Sequence, residues 1–447
     1  MTSPAHAADT SVTVDFAIVG GVPAYRASGT LYGMSPDGSL PQDHFYEDIK
    51  WHLERAGGAQ LNNGGYGTSL ADYQTRWAAT LAQYRRTVAL GGTFILLPHD
   101  LWGADSTTDQ AFPGDDGDWT QFNAFLSRLF SDVKANDMTV EWDLWNEPDG
   151  SGFWPRAQSQ YLELWSRFHA AVRSDFPGAL IVGPSIAGQP SSSNTWWDAY
   201  LGYIKANDVA PDIYSWHDEP GDPVADVSAA DSTLAAHGLT NTRPFQINEY
   251  ALLSMQNPGG GAWYISRLER AGADGLRGNW AFGTALHDDA ANLLTRSASR
   301  YLPKGEWFVY RYYGSQTGSI VDLIPGTDID GFATKDNAAG NAKVLLGSNG
   351  GAGTGAGTDT STVTVRLNGL NTTGVVSGGQ VRAVVQRIPD NDSGPVDGPV
   401  TVSDTLLAVS DDAAALTLHW TNAEDAYTVT LLPPSAAAIS TIRHPFG

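Results

Sequence analysis

The chain has 447 residues, 49 Asp+Glu against 26 Lys+Arg for a formal charge of -23, and no cysteine. That acidic excess, spread along the sequence, repels phosphate backbones and anionic lipid and so argues against nucleic-acid and membrane-surface partners. The lack of cysteine removes disulfides, thiolate metal clusters and a cysteine nucleophile, and no apolar run approaches the roughly 18 to 20 residues of a membrane span.

In chain order, Ala5-His6-Ala7 before Ala8 has the small-x-small form of a signal-peptidase site, without the charged and apolar regions that precede one. Residues 1–8 therefore read as a signal-peptide remnant and the protein as secreted, with an ordinary Ala/Ser leader as the alternative. Residues 9–27 contain the alternating run Ser11 to Ile18, which fits an edge strand added to a sheet formed later in the chain. Across residues 28–315, short strand-like runs alternate with stretches of helical spacing, the pattern of parallel βα units. The runs are Thr30 to Met34, Ala59 to Asn62, Thr93 to Leu97, Val140 to Trp145, Leu180 to Gly183, Ile213 to Trp216, Phe245 to Glu249 and Leu276 to Trp280. Between them, Phe122, Phe125, Leu126 and Leu129, then Tyr161, Leu164, Trp165 and Phe168, recur with the period of helices buried on one face. Eight units in series predict a closed (β/α)8 TIM barrel, with a doubly wound sheet as the structural alternative. Residues 316–447 lose the helical period. Thr362 to Leu367, Val381 to Gln386, Ala415 to Trp420 and Tyr427 to Leu432 alternate as antiparallel strands, predicting a C-terminal β-sandwich with a flexible hairpin loop at Asn349 to Gly357.

Catalytic residues of such a barrel come from the C-terminal ends of its strands. The fourth run ends in Trp145-Asn146-Glu147-Pro148, where Pro148 keeps Glu147 out of the right-handed helical region. The seventh ends in Asn248-Glu249-Tyr250. Two carboxyls at one barrel mouth suit double-displacement glycoside hydrolysis, in which one attacks the anomeric carbon and the other protonates the leaving oxygen.

With Asn146-Glu147-Pro148 after strand four, Glu249 after strand seven and the appended sandwich, the chain resembles the clan A retaining glycoside hydrolases, most closely glycoside hydrolase family 39. That family contains β-xylosidases, α-L-iduronidases and arabinofuranoside-cleaving enzymes. The resemblance implies Glu147 as acid/base, Glu249 as nucleophile, Asn146 as donor to the sugar 2-hydroxyl, His217 as the histidine near the nucleophile, and Trp280 as sugar platform. It implies no cofactor and a pentose-containing, arabinofuranosyl or xylosyl, glycan as substrate. Two departures stand out. Clan A members carry an arginine at the end of strand two, where this reading finds Leu61-Asn62-Asn63, and Asn248 stands where a hydroxyl residue is more usual.

Other residues keep two readings. His217, beside Asp218 and Glu219, is a substrate contact, a metal ligand or a polar rim residue. His99, in Pro98-His99-Asp100-Leu101-Trp102, is a substrate contact or a loop anchor. Asp115-Asp116-Gly117-Asp118 offers oxygen ligands but lacks the spacing of a calcium loop, and a helix N-terminus is the simpler role. The strand-end tryptophans Trp102, Trp145, Trp216 and Trp280 are candidate subsite walls, because sugar C–H faces stack on indoles. A transglycosylase, or a carbohydrate-binding protein without activity, would use the same scaffold.

Overall fold

The computed structural model describes residues 10–61, 64–105, 110–218, 220–280, 283–349 and 361–435. Ala5-His6-Ala7 and residues 350–357 of the Gly-rich stretch lie outside them. After β1 (Thr10–Val19), eight strands run in parallel: β2 (Gly29–Leu31), β3 (Leu53–Ala56), β4 (Thr93–Leu96), β5 (Glu141–Asp143), β6 (Ile181–Ile186), β7 (Ile213–Asp218), β8 (Gln246–Tyr250) and β9 (Asp274–Gly278). They close into a barrel through the pairing of β9 with β2, so the closed barrel, and not the open sheet, is the architecture. Local sequence explains the helices around it. Ser69 caps Leu70–Ala89 by accepting from the Asp72 N–H at 3.1 Å, and Asn194 caps Thr195–Asn207.

The second strand differs from the sequence expectation. It is Leu53-Glu54-Arg55-Ala56, wholly buried, whereas Ala59 to Leu61 belong to the turn that follows. A strand of a parallel sheet, covered on both faces, ordinarily reads as an apolar run. Here two of four residues are ionisable, and each finds a partner inside: Glu54 accepts from the Thr30 hydroxyl, and Arg55 reaches across the barrel to Asp143.

A hairpin, β10 (Leu294–Ser297) and β11 (Arg300–Pro303), follows the barrel. The sandwich comprises β12 (Ser319–Ile324), β13 (Ile329–Asp336), β14 (Asn341–Ser348), β15 (Ser361–Asn368), β16 (Gln380–Ile388), β17 (Val400–Ala408), β18 (Ala413–Trp420) and β19 (Ala426–Leu432). Its order is β17-β16-β19-β14-β13-β12-β1-β15-β18. β1 is thus interior and not an edge, antiparallel to β12 but parallel to β15. The sheet wraps an aliphatic core that includes Val12, Val14, Val344, Val363 and Val429.

Barrel and sandwich meet along the helix Pro258–Ala271. The backbones approach closely where side chains are missing: a Cβ on Gly347 would lie 2.3 Å from the Gly259 carbonyl oxygen. Arg267 and Arg270 reach from this helix to the buried Asp330 of β13 at 3.0 and 2.6 Å. These contacts hold the barrel against one face of the sandwich.

Candidate active site

Apolar and polar side chains segregate along the inner face of the barrel strands. The lower part is Leu53, Ile95, Val182, Ile213 and Leu276, an apolar floor. One turn of the pleat higher, side chains of the same face become polar, since residues two apart on a strand share a face. Asp143, 1% exposed, is the hub. It accepts from Arg55 Nε at 2.7 Å, Ser185 Oγ at 2.8 Å and Asn248 Nδ2 at 2.9 Å. A carboxylate with three donors tolerates burial that would otherwise be costly.

Two local irregularities assemble this layer. Between β7 and β8 the register steps from Trp216↔Ile247 to His217↔Glu249, leaving Asn248 as an extra residue. Such a bulge re-aims side chains; Asn248 turns to Asp143 while the next residue, Glu249, also reaches the lumen at Arg55. Ser185 is the corresponding extra residue between β6 and β7, with φ 54.

Above the hub stand the two glutamates. Glu249 Oε1 accepts from Arg55 at 3.1 Å, and Glu249 Oε2 lies 3.6 Å from His217 Nδ1. Glu147 Oε1 lies 2.8 Å from the same Nδ1. Donor atoms of Glu147, His217 and Glu249 all fall within 4.8 Å of one another. Glu147 leaves the right-handed helical region, but to the left-handed side (φ 42) and not to extended backbone, with its N–H bonded to the Ser185 carbonyl at 2.9 Å. For a residue with a side chain this conformation costs about 1–3 kcal/mol. Asn146 Oδ1 accepts from Arg55 at 2.9 Å. A guanidinium only donates, so the amide oxygen must face it and the NH2 group remains as the donor on the other side.

The electrostatics couple these groups. Burial pushes the Glu249 carboxyl up, and the charge of Glu147 adds to it, against the pull of His217 and Arg55. Burial would also raise Glu147, but the hydrogen bond and charge of His217, with Arg55 and His99 behind, hold it below the usual range. Burial opposes charge on His217, yet Glu249 and the bond to Glu147 outweigh it and hold the imidazole up. The three groups therefore titrate as a coupled set and not one by one.

The structure thus brings together Glu147, Glu249, Asn146 and His217. Trp280 stands at the rim, partly exposed, its indole N–H bonded at 2.8 Å to the carbonyl of Ala251, just past Glu249. His99 is buried with Nδ1 at 2.6 Å from Asp100 and its ring against Trp145 and Phe153. The other tryptophans do not form walls of the mouth. Trp102 packs among Tyr66, Phe122 and Phe125. Trp145 packs among His99, Phe112 and Trp154. Trp216 points outward to Trp197 and Phe245, because its neighbours Ser215 and His217 take the inner face. All three are at most 1% exposed.

Sequence reasoning missed Arg55, Asp143 and Ser185. The absent strand-two arginine is a misplaced strand: Arg55 lies at the end of β3, beside Glu249. The signal was the Gly57-Gly58 turn that closes Trp51 to Ala56. Glu147, His217 and Glu249 offer donors that could hold a cation, but Arg55 already sets a fixed positive charge against Glu249. In the loop from Asp115, Asp115 is paired with Arg156 at 2.6 Å and Asp118 accepts from the Thr120 N–H at the start of helix Thr120–Ala135.

No family model matches the chain. It is 23% identical over 427 residues to a 3-O-α-D-galactosyl-α-L-arabinofuranosidase of Bifidobacterium longum subsp. longum, covering 81% of this chain and 35% of that protein. The chain therefore spans about a third of the length of this curated relative. Among solved structures, N2152 from Neocallimastix frontalis superposes with TM-score 0.75 at 22% identity, over 95% of this chain and all of the other. The GH39 enzyme from Xanthomonas axonopodis pv. citri gives 0.62 at 15% identity, over 96% and 98%. The resemblance to glycoside hydrolase family 39 thus extends to the fold of both domains.

Proposed function

We propose that the chain is a retaining glycoside hydrolase. The observation that carries this reading is the approach of Glu147 and Glu249, from strands across one barrel mouth, to within 4.8 Å between their nearer oxygens. Retention needs carboxyl groups about 5 to 5.5 Å apart, whereas inversion needs about 6.5 to 9.5 Å to admit a water. Glu249, anchored by Arg55, attacks the anomeric carbon. Glu147 protonates the leaving oxygen and then removes a proton from the water that releases the sugar.

In the free protein the balance of charge opposes these roles, since Glu147 is held down and Glu249 up. With Glu249 ionised against Arg55, moving one proton along the 2.8 Å bond from His217 Nδ1 to Glu147 Oε1 produces the working state, in which the acid is protonated and the imidazole neutral. The amide NH2 of Asn146 is placed to donate to a sugar hydroxyl, and Trp280 offers a partly open indole face.

For substrate we propose an α-L-arabinofuranosyl linkage in a plant or microbial glycan, supported by the named activity of the Bifidobacterium relative and by the pentose-cleaving members of the resembled family. We propose further that the enzyme acts outside the cell, in keeping with a polymeric glycan too large to enter one. The test is a screen of aryl glycosides, arabinan, xylan and arabinogalactan, with proton NMR of the first-formed anomer. Release of arabinose with retained configuration is expected; an inverted product overturns the double displacement, and no turnover of any glycoside overturns the hydrolase.

A further inference from the structure

Resting on that reading, we infer that Phe153 is the platform for the departing sugar, so that the loop bearing the acid also binds the leaving group. In a displacement of this kind the acid faces the departing oxygen. An open aromatic face on the acid's own loop lies on the side where that sugar departs.

The loop from Glu147 to Trp154 is tightly bonded to itself. The Gly150 N–H donates to the Glu147 carbonyl at 2.9 Å, and the N–H groups of Phe153 and Trp154 donate to the Gly150 carbonyl at 3.0 and 2.8 Å. From beneath, the indole N–H of Trp145 donates to the Phe153 carbonyl at 3.1 Å. The stem of the acid and the ring flank the same glycine: a Cβ built on Gly150 would lie 3.8 Å from both Glu147 Cβ and Phe153 Cδ2. The Phe153 ring meets His99 at 66° with centroids 5.6 Å apart. It stays partly exposed, while Trp145 and Trp154 of the same cluster are sealed.

Position, exposure and rigidity together give the ring its role. Sugar C–H faces stack on aromatic faces, and a platform already fixed by its backbone adds little ordering cost on binding. Trp280, tied to Ala251 beyond Glu249, stands on the nucleophile's side, and Phe153 stands on the acid's side. The ligand class is a second sugar ring attached through the scissile oxygen, so the enzyme is adapted to cleave between two sugars and not merely to release one from any alcohol.

The test compares two substrates that share the transferred sugar and differ in the leaving group. Arabinobiose departs as a sugar, and α-L-arabinofuranosyl fluoride departs as an ion with no ring to stack. For Phe153→Ala, kcat/KM on arabinobiose should fall about tenfold further than on the fluoride, mostly through KM, as loss of uniform binding requires. Phe153→Trp should restore arabinobiose. Equal losses on both substrates, or no loss on arabinobiose, would overturn the proposal, and turnover of the fluoride reports that the variant is folded. Wild-type protein that cleaves neither substrate would instead overturn the arabinofuranosidase reading beneath it.

Discussion

The floor and the mouth of the barrel are built from the same strands, two residues apart, and obey opposite rules. On β3, Leu53 belongs to the floor and Arg55 to the mouth; on β7, Ile213 belongs to the floor and Ser215 to the mouth. The floor needs only volume, because aliphatic side chains make no directional demand. The mouth needs partners, because each buried donor or charge must find one. A single substitution should therefore cost stability alone at the floor, and both stability and chemistry at the mouth.

The widest separation is expected at the glutamates. Glu249→Ala and Glu147→Ala should each lower kcat with a natural glycan by about four to six orders of magnitude, the range seen when members of a catalytic set are removed. Added azide tells them apart. With Glu147→Ala an activated substrate still forms the glycosyl-enzyme, and azide then yields a product of retained configuration. With Glu249→Ala azide attacks the substrate directly and inverts it. Exchanged configurations in the NMR spectra would exchange the two roles.

One level down, Arg55→Leu strands Asp143 and Glu249 and should destabilise the fold by about 3–5 kcal/mol, with a loss of kcat in whatever folds. Leu53→Ala on the same strand should cost about 2–5 kcal/mol through its cavity, yet leave kcat near wild type. Denaturant unfolding and steady-state rates on both variants check the contrast; a large kcat loss in Leu53→Ala would erase it.

The next effect is the pH dependence. Activity requires Glu249 ionised and one proton on the Glu147–His217 pair. Burial raises the first above the usual carboxylate range, and the two carboxylates raise the second above the usual imidazole range. Both limbs of the bell should accordingly lie on the alkaline side of the ordinary values for Glu and His, read from kcat/KM between pH 3 and pH 10. Stability should carry its own signature. Asp218, on the outer face of β7, is pushed up to about 8, by burial first and then by Asp226, with Asp222 adding. An acid raised in the fold gives stability that is complete below its unfolded value and lost as pH rises through the folded one. The melting temperature should drop by a few degrees between pH 6 and pH 9, and Asp218→Asn should flatten that drop.

The smallest expected change is none: incubation with EDTA should leave the rate as it was, since Arg55 supplies the fixed charge beside Glu249. Loss of activity that calcium or zinc restores would turn Glu147, His217 and Glu249 into a metal site.

The same division governs what could be read in advance. Glu147 and Glu249 were legible because each closes an apolar run, and a barrel strand announces its end by that change of character. Arg55 was not, because a four-residue strand with two ionisable residues has no apolar run to close. The tryptophans misled for a related reason. A strand end fixes height along the barrel but not which face a side chain takes, and bulges at Ser185 and Asn248 shift that face midway. Register is a property of paired strands, and a single strand's sequence does not contain it. Phe153 escaped because it lies on a loop, where no period marks it.

The interior place of β1 bears on how the chain is made. Thr13 pairs with Ile324 and Val12 with Val365, so this strand leaves the ribosome before the barrel and meets its neighbours only after the whole barrel has been synthesised. Meanwhile Val12, Val14 and Phe16, all sealed in the finished molecule, have nothing to cover them. Loop closure over such a span is slow, and an unpaired strand awaiting it is open to pairing between molecules. Translation speed and chaperone supply, more than the strength of the finished fold, will set how much soluble protein a cell recovers.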